Sequence, residues 1–322
     1  MSCAGIARGS FVTGARVGAF VIVAVIAGAS AGWGCSTDGA DPGVPRSSSS
    51  TSGGSDSDAG AAGLDGAAGL DGSPSPESGP GPGGDGGSTP ANGPDKPSCK
   101  HQAHKTGLTT LQQAGGLSFT VYAPASYDPQ VGHTVVVIMH GQDSDGVPEL
   151  TALWQPIADS PSERLVLVAP KGTRAATNGS PTGANWATAD LNKVLELMTD
   201  VDDCYNVFPK KHILWGFSEG GFYGYLLGIG AADAFSGLAM AGANTSFARQ
   251  NGYPPSAAPW KIPVSHVHGA ADPNPISVTY QDRTDFQAAG HVFTLHEHSG
   301  GHSITPAQVR TQYDDLIGSI AP

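Results

Sequence analysis

The segment Ile213-Leu214-Trp215-Gly216-Phe217-Ser218-Glu219-Gly220-Gly221 sets a serine between glycines two residues before and two residues after it. Three apolar residues run into this turn, and a helix-compatible stretch, 222–229, follows. In a strand–turn–helix setting, Gly-x-Ser-x-Gly makes a strained elbow that lifts the hydroxyl clear of the sheet. It stands at a helix N-terminus, where an anionic intermediate is favoured. Taken alone, a five-residue match also fits a Gly-Ser turn with no chemistry, so the rest of the chain must supply a base and a carboxylate. Residues 262–268 read as a strand that empties into Gly269-Ala270-Ala271-Asp272-Pro273. Residues 291–298 read as another, ending at Ser299-Gly300-Gly301-His302. The order is Ser218, Asp272, His302, with each acid and base placed just past a strand. In a parallel sheet both loops emerge on the serine's edge. There His302 takes the serine proton and returns it to a leaving group, while Asp272 holds the imidazole tautomer. Singly, Asp272 is also a turn-forming Asp before proline, and His302 a surface histidine. Three residues at three matching places make the joint coincidence improbable.

The elements that position these residues follow from hydrophobic pattern. Residues 134–139 (Thr-Val-Val-Val-Ile-Met) form a β-branched apolar run suited to a strand buried on both faces. Further strands are expected at 118–123, 165–169, 213–216, 238–241, 264–268 and 292–296. Helices are expected at 149–159, 189–201, 219–229, 280–289 and 305–320. This alternation predicts an α/β domain with a mostly parallel, doubly wound sheet and helices on both faces.

On Tyr122-Ala123-Pro124 with Tyr127, Met139-His140-Gly141, Gly216 to Gly221, His268-Gly269-Ala270-Ala271-Asp272, Gly301-His302 and the cysteine at 204, residues 99–322 resemble secreted α/β-hydrolases of the polyhydroxybutyrate depolymerase and feruloyl esterase type. A second similarity, through Gly-Phe-Ser-x-Gly-Gly, is to carboxylesterases and acyl-protein thioesterases. The resemblance implies hydrolysis of a carboxylic ester through an acyl-enzyme, on a small-molecule or polymeric ester, with no cofactor. It implies an oxyanion hole built from the N–H of Glu219, after the nucleophile, and that of Gln142 in the loop His140-Gly141-Gln142-Asp143. His140 is expected to pack under that loop, and the Glu219 side chain to be solvated at the helix start. Trp186, beside Asn185 in the long loop after strand 165–169, is a candidate aromatic wall for substrate; core packing is its other use. No separate lipase-like cap or polymer-binding module is recognisable.

Two rival classes share parts of this pattern. His266 and His268, like His296 and His298, lie at i and i+2 and share a strand face. With Glu297 and His302 they mimic a zinc cluster, but no His-Glu-x-x-His or Cys-x-x-Cys spacing occurs, so no metal is expected. A surface-tethered binding protein on a relic hydrolase fold is the other, and the completeness of the serine, acid, base and oxyanion set argues against it.

Residues 1–35 read as a signal peptide. Arg8 and Arg16 precede an apolar run at 17–27 and the small-residue site Ala29-Ser30-Ala31. Cys35, in Gly32-Trp33-Gly34-Cys35, is a candidate for lipidation, the alternative being plain secretion after Ala31. Residues 36–97 carry no aromatic residue and are dominated by Gly, Ser, Pro, Ala and Asp. Such a segment cannot bury enough apolar surface to offset its chain entropy and reads as a disordered linker, with an r.m.s. reach of about 40 Å. The net charge of −12 divides as +2 in 1–35, −7 in 36–97 and −7 in 98–322. An acidic domain without a basic cluster excludes nucleic acid as a partner, and leaves a lipid anchor at Cys35 as the membrane contact. An exported protein lives where disulfides persist, so Cys99 and Cys204 are expected to pair; two buried free thiols are the alternative.

Overall fold

A computed structural model describes residues 106–112 and 116–318. The expected signal segment 1–35, the linker 36–97, Cys35 and Cys99 lie outside the described residues.

Eight strands form one sheet: β1 (Gly107–Gln112), β2 (Ser118–Ala123), β3 (His133–Met139), β4 (Leu165–Pro170), β7 (Val207–Phe217), β8 (Gly237–Ala241), β9 (Val264–Gly269) and β10 (Phe293–His298). Their spatial order is β1-β2-β4-β3-β7-β8-β9-β10. β1 pairs antiparallel with β2, and β2 antiparallel with β4; every other neighbouring pair is parallel. A hairpin of β5 (Arg174–Ala175) and β6 (Ala184–Asn185) stands apart from the sheet. The expected strands are all present. β1 and the hairpin were not anticipated, and β7 begins six residues earlier than its apolar run, through a register shift opposite His133/Val135.

The helices fall where the pattern placed them. They are α3 (Asp190–Cys204), α4 (Glu219–Gly230), α6 (Ile276–Ala288) and α7 (Pro306–Ile317), with a short α5 (Ser246–Gln250) in addition. The stretch 147–158 runs as α1 (Val147–Glu149), a π-helical turn (Leu150–Trp154) and α2 (Gln155–Ala158). Pro156 has no N–H to send back one turn, which accounts for the wider π geometry before it. α7 starts with a capping box: Thr305 accepts from the Gln308 N–H, and the Gln308 side chain takes the Thr305 N–H.

The period-two alternation of the strands sorts their side chains onto two faces. Val135, Val137, Met139, Leu214, Leu238 and Met240 pack with α3, α4 and α6 through Leu191, Val194, Tyr225, Leu226 and Phe286. Val136, Ile138, Leu165, Leu167, Ile213 and Trp215 pack with Leu150, Trp154 and Ile157, and with Val309, Tyr313 and Leu316 of α7. Both faces are covered, as a parallel sheet requires. Cys204, which closes α3, is buried.

Candidate active site

β7 ends at Phe217, and Ser218 caps α4 at φ 55°, ψ −123°. A residue with a side chain rarely holds such a backbone, and strain of this kind clusters at functional sites. The turn survives because its neighbours leave no room for relaxation. The Ser218 N–H donates to the Ala241 carbonyl at 3.0 Å, and the Ser218 carbonyl accepts from Gly221 and Phe222. A Cβ on Gly220 would stand 2.1 Å from the Met139 carbonyl oxygen, so only glycine lets α4 seat against the end of β3.

Asp272 lies in the loop after β9 and His302 in the loop after β10, both on the serine's edge of the sheet. His302 Nε2 meets Ser218 Oγ at 2.7 Å, and His302 Nδ1 meets Asp272 Oδ2 at 2.7 Å. A carboxylate only accepts, so Nδ1 donates and Nε2 is left to accept the serine proton. The Asp272 side chain is 1% exposed and that of His302 28% exposed, so the acid is sealed while the base faces solvent. The other Asp272 oxygen, Oδ1, accepts from the Asn274 N–H at 2.7 Å. Phe217 stacks on the imidazole with centroids 4.9 Å apart, fixing its plane.

The loop after β3 lies alongside. A Cβ on Gly141 would be 3.6 Å from Ser218 Cβ. Within this loop the Gly141 N–H donates to Glu149 Oε1 at 3.2 Å, the Asp143 N–H to Asn185 Oδ1 at 2.8 Å, and the Ser144 N–H to the Gly141 carbonyl at 3.4 Å. The Gln142 N–H is the one among these four for which the described residues offer no acceptor. The Glu219 N–H at the start of α4 is likewise unclaimed, as first-turn donors are. These two groups are the donors expected of an oxyanion hole.

Beneath the loop, His140 is fully buried and neutral: burial pushes its pKa down. The Gly172 N–H donates to its Nε2 at 3.1 Å, so Nδ1 carries the hydrogen, which it gives to the Gly141 carbonyl at 2.7 Å. His140 therefore packs under the loop as expected.

Two expectations are corrected. Trp186 is fully buried and forms no wall for substrate. Its ring stacks on His140 with centroids 4.7 Å apart, and its indole N–H donates to the His140 carbonyl at 2.9 Å. A tryptophan whose N–H is spent on backbone and whose faces are packed supports the loop from within. Glu219 is not solvated either. Its carboxylate takes Arg174 Nη2 at 3.0 Å and the Trp186 N–H at 3.3 Å, and burial pushes its pKa above the ordinary carboxylate range.

Residues the sequence reading passed over hold this arrangement together. Asp143, at φ 62°, accepts from Asn185 Nδ2 at 3.0 Å and from the Thr177 N–H and hydroxyl. Gln142 Nε2 reaches Thr177 Oγ1 at 2.8 Å. The β5–β6 hairpin is thus strapped to the loop at Gln142 and Asp143, and to Glu219 through Arg174. The adjacency of Asp143 to the His140-Gly141-Gln142 motif was the available signal; its hairpin partners carried none.

Among the described residues no group of three His, Cys, Asp or Glu is placed to hold an ion. His296 pairs with Asp315 at 2.6 Å, and His298 Nδ1 accepts from the Gly300 N–H at 3.1 Å. His266 and His268 lie in the core.

The strand order, the serine elbow after β7, and an acid and a base delivered by later strands on the same edge define an α/β-hydrolase fold. The chain is similar to an esterase, PE8, of known structure (20% identity, TM-score 0.53, covering 63% of this chain and 99% of that one). It is also similar to a ferulic acid esterase of known structure (15% identity, TM-score 0.52, covering 67% and 98%). Among curated proteins it is 28% identical over 162 residues to a bifunctional acetylxylan esterase/xylanase of Neocallimastix patriciarum. That match takes in 50% of this chain and spans only 22% of the relative's length. No protein-family model matches the chain.

Proposed function

We propose that the protein is a serine carboxylic ester hydrolase in which Ser218, His302 and Asp272 form a catalytic triad. The observation that carries this is the continuous pair of 2.7 Å contacts from Ser218 Oγ through His302 to a sealed carboxylate. Ser218 Oγ attacks the ester carbonyl as its proton passes to His302 Nε2. The tetrahedral oxyanion is met by the N–H groups of Gln142 and Glu219, worth about 3 kcal/mol for one such donor in a dry, preorganised site. The imidazolium, stabilised by Asp272, gives its proton to the departing alkoxide. Water, deprotonated by His302, then hydrolyses the acyl-serine and restores the enzyme.

The rim beside the nucleophile carries Gln142, Arg174 and Thr177, polar and exposed. This suits a small acyl or aroyl ester on a polar, saccharide-like alcohol better than a long-chain lipid. The names of the relatives, acetylxylan esterase and ferulic acid esterase, favour the same class. Initial rates on aryl acetate, methyl ferulate, acetylated xylan, a polyester film, an acyl thioester and a peptide p-nitroanilide test it. Preference for the polyester or the thioester would refute the substrate class. Amide cleavage without ester cleavage would refute the reaction. A fluorophosphonate that fails to label Ser218 would instead leave a binding protein on a relic fold.

Two further parts of the reading concern the chain outside the described residues. We propose export, with a lipid anchor at Cys35 and the segment 36–97 as tether; equal membrane association of Cys35→Ala and wild type would overturn the anchor. We also propose that Cys99 is the partner of Cys204. Non-reducing peptide mapping that recovers Cys99 as a free thiol would disprove the pairing.

A further inference from the structure

The two buried histidines of β9 form a directed hydrogen-bond ladder that ends on the acid's loop. Tyr225 of α4 brings its hydroxyl to His266 Nδ1 at 2.7 Å. His266 Nε2 lies 3.2 Å from His268 Nδ1, and His268 Nε2 lies 2.8 Å from the Asn274 carbonyl oxygen. A carbonyl only accepts, so His268 Nε2 carries a hydrogen. In a neutral ring Nδ1 must then accept, which makes His266 Nε2 a donor and His266 Nδ1 the acceptor of the Tyr225 hydroxyl. The Thr279 hydroxyl, 3.2 Å from His268 Nδ1, offers that acceptor a second donor beside the His266 N–H. All four side chains are buried, and burial holds His266 far below the ordinary histidine range.

The last rung explains why a polar ladder stands where leucine would pack. Asn274 is gripped through its carbonyl by His268, while its N–H donates to Asp272 Oδ1 at 2.7 Å and its side-chain amide donates to the Gly242 carbonyl at 2.9 Å. Asp272 turns its other oxygen to His302.

We propose that His268 is a positioning residue for Asp272: it fixes Asn274 so that the Asn274 N–H holds the carboxylate in line with His302, with His266 and Tyr225 setting the tautomer that makes His268 a donor. The proposal rests on the triad reading above. A histidine filling the core for its volume alone would be replaceable by any ring of similar size.

The test compares His268→Phe, which keeps a ring but no donor, with His268→Gln, whose amide places N–H groups near the lost Nε2. Both are made in the full chain, beside Asp272→Asn. The expected result for His268→Phe is an unchanged KM with kcat lower by about 10²-fold, the loss that goes with roughly 1 Å of misplacement. The far-downfield proton resonance between His302 Nδ1 and Asp272 should be displaced or lost. His268→Gln should recover most of kcat and the resonance, and Asp272→Asn should cost on the order of 10⁴. Should His268→Phe not fold, His268→Asn, whose shorter amide does not reach Asn274, carries the same contrast with His268→Gln. Wild-type kcat in His268→Phe, or in His268→Asn, together with a disabled Asp272→Asn overturns the positioning role and leaves the triad intact. Wild-type kcat in Asp272→Asn overturns both.

Discussion

Gly242 offers a perturbation whose size follows from the structure. It lies just after β8 at φ 57°, and a Cβ there would stand 3.0 Å from His302 Cε1, 3.1 Å from His302 Nδ1 and 3.2 Å from Phe217 Cε2. Its backbone cannot retreat, because its N–H donates to the Val267 carbonyl at 3.1 Å and its carbonyl accepts from Asn274 Nδ2 at 2.9 Å. In Gly242→Ala the left-handed backbone alone costs about 1–2 kcal/mol, a loss of roughly 2–8 °C in Tm for a domain of this size. Restoring ordinary contact requires the imidazole to move by about 0.5 Å. Since His302 makes both its 2.7 Å contacts in one plane under Phe217, that movement lengthens at least one of them. The expected loss in kcat is roughly 10- to 100-fold, with KM little changed. The assay pairs thermal unfolding with steady-state hydrolysis and the rate of fluorophosphonate labelling at Ser218. Labelling should slow in parallel with kcat, because it draws on the same base. A lowered Tm with wild-type kcat and labelling rate would refute the reasoning, since the strain would then be present without the displaced imidazole.

Three further outcomes follow. On the proposed triad, in which Ser218 and His302 work as one unit, each alanine variant should lose several orders of magnitude in kcat, and the double variant should be little worse than either; additive losses would contradict a shared mechanism. His140 and His266 are neutral in the fold, with pKa values depressed by burial. Above the unfolded value near 6.5 neither state binds the proton. Below it only the unfolded chain does, so stability should fall with pH by about 1.4 kcal/mol per unit for each imidazole. Urea unfolding from pH 7.5 to 5 measures this, and a flat profile would mean that both rings protonate in place. Finally, Glu149→Ala removes the acceptor of the Gly141 N–H and of the Ser144 hydroxyl. It should lower kcat more than it raises KM, because the loop presenting Gln142 slackens; an unchanged kcat would remove Glu149 from the oxyanion scaffold.

What the sequence discloses here depends on whether a constraint is local or periodic. The Ser218 elbow is legible because a strained φ, and a seat where any Cβ on Gly220 would fall 2.1 Å from the Met139 carbonyl oxygen, demand glycines at set offsets. Asp272 and His302 are legible because a parallel sheet sends every strand's C-terminal loop to one edge. β1 is not, since its Thr109, Thr110 and exposed Leu108 give an edge strand no apolar run to read. The scaffold of the oxyanion loop is less legible still. Asp143 finds Thr177 and Asn185 at separations of 34 and 42 residues, through a hairpin outside the sheet, where no period relates one side chain to another. Trp186 shows the same limit from the other side: its place in a loop near the site is written in the chain, but which way its ring turns is decided by the His140 carbonyl it meets. His266 and His268 lie between these cases. Their spacing puts both on one strand face, but a ligand pair and a hydrogen-bond ladder share that spacing. What separates them is the identity of the groups at either end, and a hydroxyl from α4 and a carbonyl from the Asp272 loop leave both rings fully engaged without a metal.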